Sequence, residues 1–317
     1  MNKNLLLSLI LLTIFIASCA PIEDLERGFI GDRAPEVIDA FTGTKGIELY
    51  LEQPQAIITF PGETISFPVR VSNEGRFDTT ITLYVSGYDE SLMRYTQKQQ
   101  RIDLKGKKSA GAEEAIPGEE TIIYFETEPV ELVGTSLSQN TVVTACFPYE
   151  TELTYGVCVD RNANRICDLT QPTNRPLGSG QGAPVAINSI TSVARGPSAG
   201  KTRITYSIKF SQADTMNNAR VVDKDKLEDA CQGKKLDERL DFDTIYIDEV
   251  RLGRDIDLEC PAISGNRPLN LKYTDTLTCY AEITYENTDY TSGLFIKASY
   301  GFMKSVTQPI TIQALIT

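Results

Sequence analysis

Asp160–Asp168 reads DRNANRICD, and Asp160, Asn162, Asn164 and Asp168 fall at the first, third, fifth and ninth positions of a calcium-binding loop. Oxygen ligands at alternating positions wrap a hard cation as the chain turns. Two departures weaken the match. Arg165 stands where the sharp turn wants glycine, and Gln171 stands where a bidentate glutamate closes the shell. A polar hairpin tip, with asparagine tolerating left-handed geometry, accounts for the same residues, and short matches of this kind arise often by chance. The hairpin tip is the preferred reading, with calcium kept as the one cofactor candidate.

Other chemistry is narrowed by what is missing. The chain has no histidine, which removes Ser-His-Asp and Cys-His catalysis and the common histidine-containing zinc sites. Tryptophan is absent too, so a carbohydrate platform would rest on Tyr or Phe; Tyr84, Tyr88 and Tyr95 are the nearest to one, and core packing explains them equally well. Paired acids such as Asp241/Asp243 or Asp255/Asp257 have the look of glycosidase carboxylates, but a strand-rich acidic surface produces such pairs as solvated faces. Cys146, Cys158, Cys167, Cys231, Cys260 and Cys279 contain no C-x-x-C pair, which argues against a metal site. A tight turn near Glu152 would set Cys146 opposite Cys158, whereas a turn near Asn162 would pair Cys158 with Cys167. Cys260 and Cys279 lie about two strand lengths apart, close enough for adjacent strands to bring them within disulfide reach.

The elements that would position these residues are strands. Ile65, Phe67, Val69 and Val71 alternate with polar residues, as do Ile81, Leu83 and Val85, and this period of two marks strands with one buried face. Pro68 removes a ladder donor and predicts an edge strand or a bulge. Residues 97–120 are rich in charge and glycine and read as a mobile loop, with the Lys105–Lys108 cluster offset by Glu113, Glu114, Glu119 and Glu120. In the second half, Ile204, Tyr206, Ile208 and Phe210 form one inward set, and Leu277, Cys279, Ala281, Ile283 and Tyr285 another. Leu227, Ala230 and Cys231 are spaced for one side of a short helix or ordered loop. Further strands are expected at 141–149, 294–302 and 306–312. Many short alternating strands separated by turns predict an all-β chain of immunoglobulin-like β-sandwiches. Residues 172–183, PTNRPLGSGQGA, have a linker's composition. The expected organisation is therefore one sandwich over 38–171 and a second over 184–317.

The first residues set the compartment. Lys3 is followed by LLLSLILLTIFIA, Leu5–Ala17, an apolar run shorter than the ~20 residues needed to span a bilayer. It ends in Ile16-Ala17-Ser18-Cys19, which resembles the lipobox of prokaryotic lipoproteins, where cleavage precedes a cysteine that then carries lipid. On this reading 1–18 is a signal peptide, Cys19 is lipidated, and 19–37 is a polar tether reaching up to roughly 50 Å. The protein is then exported and lipid-anchored to the outer face of the cell membrane. The six remaining cysteines, an even number in an oxidising location, are expected in disulfides, with Cys260–Cys279 foremost.

The lipobox together with FTGTKGIELY, SFPVRVSNEGRFDTTITLYVSGYD, ACFPYETELTYGVCVD, GQGAPVAI and TLTCYAEI resembles a group of uncharacterised archaeal cell-surface lipoproteins with immunoglobulin-like domains. The resemblance spans most of the mature chain and implies fold and location, with no activity attached. With 43 acidic against 31 basic residues, the protein repels phosphate backbones, which argues against nucleic-acid partners. The expected role is non-catalytic: structural, adhesive or protein-binding, with surface proteins or polysaccharide as partners and the membrane reached through lipid. The alternatives are a surface hydrolase using paired carboxylates, and a substrate-binding lipoprotein of a transporter, a class that is usually α/β with a cleft.

Overall fold

A computed structural model describes residues 43–109, 115–161, 177, 180–198, 200–216, 218–284 and 289–314. Met1–Ser18, Cys19, the tether, Asn162, Asn164, Cys167, Asp168, most of 172–183 and Tyr285 lie outside the described residues. The strands run β1 (Ile47–Leu51), β2 (Ile57–Thr59), β3 (Ser66–Asn73), β4 (Thr79–Ser86), β5 (Gln99–Leu104), β6 (Lys108–Ser109), β7 (Ala115–Ile116), β8 (Glu120–Glu126) and β9 (Ser136–Val159). They continue with β10 (Val185–Ser198), β11 (Lys201–Gln212), β12 (Arg220–Val222), β13 (Thr244–Leu252), β14 (Ile256–Asp257), β15 (Leu269–Asn270), β16 (Thr276–Thr284) and β17 (Tyr290–Gln313). A short helix, α1 (Leu227–Cys231), lies between β12 and β13.

The fold is all-β. One large sheet has the order β14-β13-β17-β9-β4-β5, with β12 and β2 added along β17 and β15 along β13. Two smaller sheets, β1-β3-β8 and β10-β11-β16, complete the sandwiches. Apolar alternation explains the burial. Phe67, Val69 and Val71 of β3, Ile81 and Leu83 of β4, and Ile204, Tyr206, Ile208 and Phe210 of β11 are all buried, and with the inward residues of β9 and β17 they belong to one core. Phe67 packs against Phe125 of β8 with ring centroids 5.8 Å apart, and Phe147 of β9 against Phe302 of β17 at 5.7 Å.

β9 and β17 pair antiparallel without a break from Ser136↔Gln313 to Tyr290↔Val159. The division expected at 172–183 is therefore not a division of the hydrogen bonding, and Val37–Thr317 forms one compact unit. The early part of β9 pairs with β4, while its later part continues beside the stretch of β17 that pairs with β13. Each sandwich thus takes a strand segment from the other half of the sequence. The described end of the expected linker is packed: Gln181 is buried, and its side chain bonds both the N–H and the carbonyl of Ile187. Gly182 accepts from the Arg76 N–H and donates to the Gly43 carbonyl.

Three local expectations change. β3 is the middle strand of its sheet, not an edge. Its Pro68 is tolerated because β1 ends opposite Val69, so the missing donor faces a place where the ladder has already stopped. Residues 99–104, expected in a loop, form β5 on the outer edge of the large sheet, where an edge strand needs few apolar side chains. Finally, no turn occurs near Glu152, because β9 runs straight through it.

Candidate functional site

The cysteines follow from these strands. Cys146, midway along β9, is joined to Cys231 of α1 with Cα atoms 6.3 Å apart. This replaces the pairing of Cys146 with Cys158, which required the turn that β9 does not make. Cys260 and Cys279 are joined with Cα atoms 4.2 Å apart, next to the antiparallel bridge between Glu259 and Tyr280. Cys158 is also disulfide-bonded.

The Cys146–Cys231 bond holds the segment after β12 against the outer face of the large sheet. Asp223 starts this segment by accepting the Asp225 N–H, a side-chain cap of the kind that opens helices. Beside it lies an open groove of about 690 Å³ across β4, β9, β17 and β13. Its charged lining is Asp78, Arg101, Glu150, Lys224, Asp248 and Lys297. Several of these charges pair with one another. Lys297 lies 2.8 Å from Glu150 and 3.3 Å from Glu152, and the Glu150 hydrogen bond raises its pKa above the usual lysine value. Lys224 donates to Ser299, which donates to Asp248. The Lys224 ammonium also sits over the Tyr246 ring. Burial, and then the hydrogen bond to Asp223, push the Tyr246 hydroxyl up to about 12. The groove surface therefore carries charges of both signs, with the Ser299 hydroxyl set between Lys224 and Asp248.

A second polar centre lies inside the protein. Lys304 of β17 is fully buried, with its Nζ 2.6 Å from Glu48 Oε1 of β1 and 2.9 Å from Asp214 Oδ2 in the loop after β11. Both carboxyls are themselves buried. Lys304 continues the inward series Leu294, Ile296, Ala298, Tyr300 and Phe302, a row of otherwise core-type side chains. Burial raises the pKa of Glu48, opposed by its hydrogen bond to Lys304. Isolated buried charges are costly, so this lysine is retained inside only because both carboxyls meet it. The sequence reading missed it. The legible signal was a lysine standing in phase with buried residues.

The sequence candidates are dispersed. Asp160 is buried at the end of β9, and the neighbouring Arg161 is tied into the second sandwich. The Arg161 N–H donates to Asp289, its carbonyl accepts from Thr202, and its guanidinium lies over the Tyr290 ring. Among the described residues no three His, Cys, Asp or Glu side chains come together as a metal site. The Asp241 carboxylate accepts the Asp237 N–H, while Asp243 holds a left-handed turn with φ 57°. Asp255 lies in the turn before β14, with Asp257 on that strand. Tyr88 and Tyr95 pack edge to face at 4.8 Å, and Tyr95 is in the core with its hydroxyl on Thr141. Tyr84 is on the opposite face of β4 from buried Leu83 and Val85, so the three tyrosines form no platform. Lys105 and Lys108 are offset by Glu119 and Asp78.

No protein-family model and no curated protein matches the chain. Among solved structures it is similar to the ASH/PapD-like domain 7 of human CEP192, at 20% identity over 32% of this chain and 72% of that chain, with a TM-score of 0.19. It is also similar to the Salmonella enterica SafA pilin in complex with the SafB chaperone, at 10% identity over 78% of this chain and 88% of that chain, with a TM-score of 0.21. The all-β sandwich description rests on the sheets above.

Proposed function

We propose that the chain is a non-catalytic module with a structural, adhesive or protein-binding role, held on the outer face of a cell membrane by lipid on Cys19. The observation that carries the mechanical part of this reading is the unbroken β9–β17 pair, which passes through both sandwiches. Force or contact at one sandwich then reaches the other through a hydrogen-bonded ladder instead of a flexible linker. The lipobox supports the anchor. The groove of paired charges supports a polar protein or polysaccharide partner, and the net charge of −12 disfavours nucleic acid. The all-β architecture speaks against a transporter's α/β binding protein.

The test is membrane fractionation of the native host expressing the wild type or Cys19→Ser. The wild type should partition with membranes, and the variant should be released or left uncleaved. A variant processed and retained like the wild type would remove the anchor from this reading. Pull-down from intact cells, with Lys224→Glu and Lys297→Glu as controls, tests the groove. Hydrolysis of a surface polysaccharide by the purified protein would replace the binding role with that of a hydrolase.

A further inference from the structure

We propose that Lys304 and Asp214 become joined by an intramolecular isopeptide bond, with Glu48 as the proton relay. Three observations bring the reaction partners together. The Lys304 Nζ is 2.9 Å from Asp214 Oδ2, so the carboxyl carbon is one bond further along, close to the ~3–3.5 Å separation of a near-attack arrangement. Glu48 Oε1 is 2.6 Å from the same nitrogen, within proton-transfer reach. All three side chains are buried, away from the water that would compete with an amine for the carboxyl carbon.

The two carboxyls have different surroundings. Glu48 lies within β1, in ladder register with Ser72, so its backbone is fixed. Asp214 lies outside the strands, in the chain after β11, where its N–H donates to the Pro184 carbonyl and its own carbonyl accepts from Gln212 Nε2. The Met216 N–H donates to Asp214 Oδ1 at 3.2 Å. That bond polarises the carbonyl and would stabilise the oxyanion of a tetrahedral intermediate. Oδ2, the oxygen facing the ammonium, is left as the departing group. These differences make Asp214 the acceptor and Glu48 the relay.

The step balances without any added reactant. The Lys304 ammonium passes one proton to Asp214 Oδ2, leaving a neutral amine beside a carboxylic acid. The nitrogen lone pair forms the Nζ–Cγ bond. Glu48 takes a second proton from the nitrogen and delivers one to Oδ2, and the Cγ–Oδ2 bond breaks. One water leaves, Glu48 returns to its starting state, and the nitrogen keeps the single hydrogen of an amide. The raised pKa of Glu48 suits a group that must hold and return a proton. Condensation also replaces a buried ammonium and a buried carboxylate with one neutral group, removing much of the desolvation cost of keeping them inside.

Peptide mapping of the full exported chain, reduced and alkylated, tests the proposal. The expected result is a branched species in which the peptide holding Lys304 is joined to the one holding Asp214, lighter than the two separate peptides by one water. Glu48→Gln should fold, by circular dichroism and cooperative melting, yet carry less of the branched species. Asp214→Ala should carry none. Because the wild type alone gives the primary readout, failure of a variant to fold does not spoil the test. A folded wild type in which Lys304 appears only in a linear peptide would overturn the proposal. A branch from Lys304 to Glu48 would overturn the assignment of acceptor and relay.

Discussion

Leu227 of α1 lies directly over Gly301 of β17: a Cβ built on that glycine would stand 3.0 Å from Leu227 Cδ1 and 3.0 Å from the Val222 carbonyl oxygen. The glycine is therefore set by packing on the outer face of the sheet. Gly301→Ala should lift α1 or strain β12, at a cost of about 1–3 kcal/mol typical of overpacking. Thermal unfolding compared with the wild type checks this, and an unchanged melting temperature would mean that the helix moves away freely.

Cys146 and Cys231 are separated by 85 residues in sequence. A bond closing so long a loop contributes roughly 4–5 kcal/mol in the chain-entropy model. Replacing both cysteines with alanine should lower stability by up to that amount, and denaturant unfolding measures it. Hydrogen exchange should rise first in residues 223–231, which the bond holds to the sheet.

Tyr206 has a buried hydroxyl with no hydrogen-bond partner among the described residues. Burial pushes its pKa far above the ordinary tyrosine value. Tyr206→Phe removes the stranded polar atom while keeping the ring, and should leave stability unchanged or raise it by about 1 kcal/mol. A clear loss would reveal a partner for the hydroxyl.

Glu74 accepts hydrogen bonds from Tyr50 at 2.6 Å and Lys45 at 3.1 Å. Burial opposes the carboxylate, yet those donors prevail and its pKa lies below the ordinary glutamate value. The native state therefore binds fewer protons here than the unfolded chain, so this contribution is present at neutral pH and is lost as acid protonates the group. The stability gap between wild type and Glu74→Gln should be open at pH 7 and shrink below about pH 4. Denaturant midpoints across that range give the comparison.

Much of the sandwich was legible because alternation survives wherever a strand has one buried face. Ile65, Phe67, Val69 and Val71 all turn inward, as do Ile204, Tyr206, Ile208 and Phe210. β5 was hidden because its inward residues are few: only Leu104 is buried, with Ile102 partly so. β17 was expected as two strands, 294–302 and 306–312, with Lys304 falling between them. It is one strand because Glu48 and Asp214 arrive from distant segments to meet that lysine. Nothing local announces the bond from Cys146 to Cys231 either, and the groove draws its charges from the residue before β4, from β5, β9, β13 and β17, and from the turn before α1.

The long β9–β17 pair also fixes an order of events. The register from Val142↔Thr307 to Ser136↔Gln313 supplies the first sandwich with a strand that is synthesised only after almost every other strand. Until then β9 presents an open edge, the kind of surface on which chains aggregate. The amino-terminal half cannot finish folding as it emerges, and must wait with its edge shielded until residues 307–313 arrive. Truncation within β17 would therefore damage the part of the molecule made first.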